Sequence, residues 1–128
     1  MSDFDVEIVS FGYLHGQPPT AHLTIDLREH FRDPHVSPEL RHMTAQDHAV
    51  REAVINTPGI RDLVAATARA ATAFRSGPSA GPVVVADGCA GGRHRAPTFA
   101  AFLALALTTA GLRVRVQHRD LAKAVVER

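Results

Sequence analysis

Three glycines, the chain's one cysteine and a basic triplet stand together in Asp87-Gly88-Cys89-Ala90-Gly91-Gly92-Arg93-His94-Arg95. Gly88, Gly91 and Gly92 permit positive φ and a close approach of backbone to a ligand. A helix is predicted to start just after them. Its free N–H groups and its dipole favour an oxyanion. Arg93, His94 and Arg95 add donors at that end, and an arginine fork can donate twice to a tetrahedral oxyanion. Three cationic side chains at a helix N-terminus oppose the dipole, and an anion would relieve this. The bland alternative is a tight strand-to-helix turn whose glycines only allow packing.

The loop is not a Walker A motif, since Gly-x-x-x-x-Gly-Lys-Ser/Thr is absent. It does fit Cys-x-x-Gly-x-x-Arg with Cys89, Gly92 and Arg95. That is the skeleton of a cysteine-dependent phosphatase, in which a thiolate attacks phosphorus. A helix N-terminus and two arginines would lower the Cys89 pKa. The general acid that such chemistry needs has only two nominees, Asp26 or Asp120. The competing reading makes Cys89 a small buried filler. The chain has eight histidines, and His30, His35, His42 and His48 crowd one stretch. No His-x-x-x-His pair or carboxylate-flanked spacing marks a metal site.

These groups need a frame. Val6–Phe11 reads as a strand closed by Gly12, and His22–Leu27 as a second with Leu23, Ile25 and Leu27 on one face. Residues 28–43, with Pro34 and Pro38, read as a loop of about 16 residues, long enough to suspect function. Thr44, with Asp47 three positions on, predicts a helix start and a helix to about Asn56. Thr57-Pro58 predicts another, with Ile60, Leu63, Val64, Thr67, Ala71 and Phe74 on one stripe. Ser76–Pro82 is a hinge. Val83–Ala86 reads as a buried parallel strand. Pro97–Ala110 reads as an apolar helix ending at Gly111. Leu112–Val116 reads as the last strand and Arg119–Glu127 as a terminal helix. The alternation predicts an α/β fold: a small, mostly parallel sheet of about four strands with helices on both faces and the glycine-rich loop after the third strand. Ligands of such sheets sit beyond the strands' carboxyl ends.

Composition narrows the classes. The 128 residues suit one domain, 1–128, with 45% apolar and 21% charged residues. One thiol excludes an internal disulfide framework and a multi-cysteine zinc site. The acidic start is no signal peptide, and Ala96–Leu112 is too short for a membrane span of about 20 residues, so a cytoplasmic chain with no membrane partner is expected. Seven aromatics and no Trp disfavour a stacking platform for single-stranded nucleic acid. Charge is uneven: residues 1–90 carry 7 Lys/Arg against 11 Asp/Glu, a net of −4, and residues 91–128 carry 7 against 2, a net of +5. The basic end suits an anionic partner or is a dipolar surface. Arg113, Arg115 and Gln117 share a strand face, with His118 and Arg119 at its turn. An RNA-phosphate stripe and a charge-protected edge strand fit it equally.

The glycine-rich loop resembles the hallmark of the C-terminal domain of the RapZ family, the RNase adapter proteins. Four stretches agree in order: Ser10-Phe11-Gly12-Tyr13-Leu14-His15-Gly16, Asp26-Leu27-Arg28, Asp33-Pro34-His35 leading into Pro38-Glu39-Leu40-Arg41, and His118-Arg119-Asp120-Leu121. The resemblance implies an RNA-binding, self-associating α/β domain that senses glucosamine-6-phosphate. It implies a ligand site of Asp26, Arg28, His35, Ala90, Gly91, Gly92, His94 and Arg95. Gly91, Gly92, His94 and Arg95 would hold phosphate, Asp26 would meet an amine or hydroxyl, and His35 would close the long loop. RNA contacts would fall to Arg113, Arg115, His118, Arg119 and Lys123, on a thin basic tail that ends at Arg128. The chain departs from the family at Ala90, where Thr is usual, and at Ala96, where Ser is usual. Each change removes a hydroxyl donor worth about 1 kcal/mol. Nothing in the 128 residues resembles the family's N-terminal nucleotide-binding domain, so a stand-alone C-terminal-type domain is expected. The expected protein is a phosphometabolite sensor or adapter rather than an enzyme, without metal or cofactor. A cysteine-dependent phosphatase using Cys89 and Arg95 is the alternative.

Overall fold

The computed structural model describes residues 3–78 and 80–127, so Ser79 of the predicted hinge and Arg128 of the basic tail lie outside the described residues. Four strands, β1 (Val6–Gly12), β2 (Leu23–Asp26), β3 (Val83–Cys89) and β4 (Val114–His118), form an all-parallel sheet in the order β2-β3-β1-β4. Three helices, α1 (His48–Ile55), α2 (Ile60–Ser76) and α3 (Arg95–Thr109), lie between the strands in sequence. The α/β frame and its parallel sheet are therefore as predicted.

The register sets the faces. Val6 pairs with Val83 and Val114, and Ile8 with Val85 and Val116. Val6, Ile8, Val83 and Val85 share one core with Val50 and Val54 of α1, Ile60 and Val64 of α2, and Phe99, Leu103 and Leu107 of α3. All three α-helices thus gather on one face. Strand order explains this. The crossovers β2 to β3 and β3 to β4 run in the same direction across the sheet, and right-handed crossovers then place their helices on the same side. The connection from β1 to β2 runs the other way. It carries only a 3-10 turn, Tyr13–His15, whose Tyr13 ring packs edge-on against Phe11 on the opposite face. The predicted helix cover of both faces is reduced there to that turn.

Local departures have local causes. The Asp47 carboxylate accepts the Thr44 N–H at 2.9 Å, as the reach-back of a capping box requires, but α1 itself begins after Asp47. Thr57 gives its hydroxyl to the Ala53 carbonyl at 2.8 Å, so Gly59, at φ +93°, starts α2. β3 runs on through Asp87, Gly88 and Cys89, taking in the first part of the predicted loop. The predicted helix over Arg119–Glu127 is absent, and the segment is turn and irregular chain. Asp120 accounts for that: its buried carboxylate accepts the Gly12 N–H at 2.8 Å and pairs with Arg119 at 2.9 Å and Lys123 at 2.6 Å. These contacts pin the chain to the end of β1 rather than letting it coil.

Candidate functional site

The carboxyl ends of β1, β2 and β3 meet at one edge of the sheet. Gly12, closing β1, lies directly against the Gly91-Gly92 turn that follows β3. A Cβ on Gly12 would stand 2.5 Å from the Gly91 carbonyl carbon, and one on Gly92 would stand 2.8 Å from the Gly12 nitrogen. Gly92 also holds φ +75°. The close approach that these glycines permit is thus made to the chain's own backbone. The Ala90 carbonyl accepts the Leu14 N–H at 3.0 Å, which ties the same turn to the β1–β2 connection.

The basic triplet faces the long loop after β2. Arg93 donates through one terminal nitrogen to the His42 carbonyl at 3.0 Å and through the other to the Lys123 carbonyl at 2.7 Å. His94 donates its Nε2–H to the Met43 carbonyl at 2.8 Å. Arg95 is buried. One of its terminal nitrogens donates to the carbonyls of Leu27, Arg28 and Phe31 at 2.9–3.1 Å, and the other pairs with Asp33 at 3.1 Å. The two arginines and the imidazole at the start of α3 are thus met by carbonyl oxygens and one carboxylate. They clamp a loop that has little secondary structure of its own beyond the 3-10 turn Pro34–Val36.

A small recess remains between clamp and loop. Four residues of the ligand set, His35, Gly91, His94 and Arg95, line it together with Asp33, Cys89, Arg93, Val125 and Val126. Two of the lining residues, Arg93 and Arg95, each have a buried Nε with no hydrogen-bond partner among the described residues. Burial pushes the His94 pKa below the usual histidine value, against the pull of the Met43 carbonyl. Burial likewise pushes the Cys89 thiol up, although its sulfur accepts the Ala96 N–H at 3.4 Å and Arg95 is near. A raised thiol is the reverse of what a nucleophilic cysteine needs.

Four of the expected ligand residues do not line the recess. Ala90 and Gly92 are the backbone supports already described. Asp26 and Arg28 form a half-exposed bidentate pair at 2.7–3.2 Å, and the Arg28 guanidinium lies 3.6 Å above the Tyr13 ring. The Arg28 hydrogen bonds hold the Asp26 carboxyl below its usual range. This pair adjoins the recess through the Arg28 carbonyl, which accepts from Arg95.

The expected RNA stripe divides. Arg113 and Arg115 are exposed and pair with Asp5 at 3.2 Å and Glu7 at 3.5 Å. Arg119 and Lys123 converge on Asp120 at the other end of β4, on the order of 20 Å away at strand rise. His118 turns its ring toward Ser10, with Nδ1 2.7 Å from the hydroxyl, and burial lowers its pKa. Asp120 itself, drawn upward by burial, is brought down to about 2 by Arg119, the Gly12 N–H and Lys123. Sequence reasoning named Arg93 as a donor at the loop but left it out of the ligand set, and it passed over Asp33, Val125 and Val126 as site residues. Asp33 was visible two positions before His35, whereas the valines carry no chemical signal.

The comparisons with known proteins bear on the family. The profile of the family described as the RapZ C-terminal domain matches residues 4–122. A nucleotide-binding protein of Trichlorobacter lovleyi is 35% identical over 133 residues, covering 95% of this chain and 44% of that protein. One from Salinispora tropica is 40% identical over 121 residues, covering 92% and 40%. One from Limosilactobacillus reuteri is 35% identical over 128 residues, covering 96% and 43%. The chain thus spans less than half the length of these relatives. With a profile match over nearly its whole length, the chain belongs to the RapZ C-terminal domain family.

Proposed function

We propose that this domain is a phosphometabolite-binding sensor or adapter module, taking a small phosphorylated ligand such as glucosamine-6-phosphate. One observation carries the reading: Arg93 and Arg95, each with a buried, unpartnered Nε–H donor, line a recess together with His35 and His94. Buried donors without acceptors are costly, and a phosphate oxygen is the acceptor that suits a guanidinium best. The Asp33 and Asp26 carboxylates nearby suit a sugar amine. Isothermal titration with glucosamine-6-phosphate, glucose-6-phosphate and inorganic phosphate tests it. Arg93→Gln should weaken all three, and the amino sugar should bind best. No binding of any of them at millimolar concentration defeats the reading.

A cysteine-dependent phosphatase using Cys89 and Arg95 has less support, since the thiol is raised by burial and the Arg95 terminal nitrogens hold the long loop. Turnover of a phosphate ester that Cys89→Ser abolishes would restore it. RNA association through Arg113, Arg115, His118, Arg119 and Lys123, and self-association in the cytoplasm, are carried over from the family as part of the proposal. A long, single-contact ion pair such as Arg115 with Glu7, at 3.5 Å, is weak enough to yield to phosphate. A steep fall of RNA affinity with salt is the expected signature. Among the described residues no helix is long and apolar enough to cross a membrane.

A further inference from the structure

We propose that residues 121–127 form a strap that shuts the recess and competes with its ligand. The proposal rests on the anion-binding reading of that recess. The strap is firmly anchored at one end. Asp120 is buried and held by Gly12, Arg119 and Lys123. Beyond the anchor its hold is light. The Lys123 carbonyl accepts one hydrogen bond from Arg93, Val125 and Val126 are half-buried against the recess, and Ala122, Ala124 and Glu127 are exposed.

With the strap in place the recess has room for about one water molecule, too little for a phosphate group. Some wall must therefore move to admit a ligand. The other walls are tied down more heavily: Cys89 ends a central strand, Gly91 is wedged against Gly12, Arg95 is buried on Asp33 and three carbonyls, and on the long loop the His35 N–H is held by Asp33 and its carbonyl by Arg41. Arg93 links the two events. Its Nε lacks a partner, and one terminal nitrogen holds the strap. A phosphate that recruits this guanidinium competes with a neutral carbonyl, and the charged acceptor wins. Ligand and docked strap then exclude each other, so a loaded domain presents a freed segment bearing Val125 and Val126, tethered at the Asp120–Lys123 pair. By linkage, a partner that captures the freed segment tightens the ligand by the same factor.

The test compares the full chain with the double variant Val125→Ser/Val126→Ser, using inorganic phosphate and glucosamine-6-phosphate as probes in isothermal titration. The variant is expected to bind about 5-fold tighter or more, within the usual range of site coupling. A chain ending after Lys123 removes the same wall and should agree. In the full chain, either probe should speed trypsin cleavage after Lys123. Equal affinity in all three chains overturns the strap and leaves the anion reading intact. Weaker binding by the variants, or slower cleavage with ligand, makes the segment part of the site and overturns competition. No binding by any chain removes the anion reading and the strap with it.

Discussion

Replacing Asp87 by valine should stabilise the protein. Asp87 lies in β3 on the helix-covered face, after three consecutive valines, and is fully buried. Neither carboxyl oxygen has a hydrogen-bond partner among the described residues, and burial raises its pKa well above the usual value. A buried polar group left unsatisfied costs about 1–3 kcal/mol, and valine has nearly its shape and suits a central strand. A gain of about 1–3 kcal/mol corresponds to a rise in Tm of about 4–12 °C for a chain of this size. The pH dependence gives a second, independent signature. Because the folded pKa lies above the unfolded one, the native chain holds its proton longer. Its stability is full below about pH 4 and falls as pH rises through the folded pKa. The Asp87→Val substitution removes that slope, so the variant's advantage should widen from about pH 5 to about pH 8. Urea denaturation of both chains across that range measures it. A variant no more stable at the alkaline end, or an advantage that does not change with pH, would show that the carboxyl has a partner and refute the argument.

Other substitutions probe the site's frame. Gly12→Ala puts a Cβ within 2.5–2.7 Å of Gly91 and Gly92 backbone atoms, so it should cost about 2 kcal/mol or more, read as a lowered urea midpoint. Arg95→Lys keeps the charge but loses the fork that serves three carbonyls and Asp33, so it should cost about 1–3 kcal/mol and speed amide exchange across residues 27–37. His94 and His118 both have pKa values lowered by burial, so the stability they carry is full above about pH 6.5 and lost as pH falls below it. In an Asp87→Val background, where the opposing slope of Asp87 is gone, acidification from about pH 7.5 to about pH 5 should lower the urea midpoint. A flat profile would contradict their burial as neutral rings.

The alternation of strand and helix patterns in this chain was enough to specify a parallel α/β sheet, because apolar periodicity is a local property of each segment. The glycines and the basic triplet were equally plain, and so was their place at the carboxyl edge of the sheet. What the triplet would touch was not. Its partners are main-chain carbonyls at Leu27, Arg28, Phe31, His42, Met43 and Lys123, and any sequence has carbonyls there. The predicted terminal helix failed for a related reason. Asp120 finds Gly12, more than a hundred residues away, and that contact outweighs helix propensity. The uneven charge was legible, yet its resolution depended on β4 lying beside β1, which sets Arg115 against Glu7 and Arg113 near Asp5. Strand order likewise decided that the helices share one face. Local chemistry is written residue by residue, whereas order, register and the choice of acceptor arise only when distant segments compete for the same space.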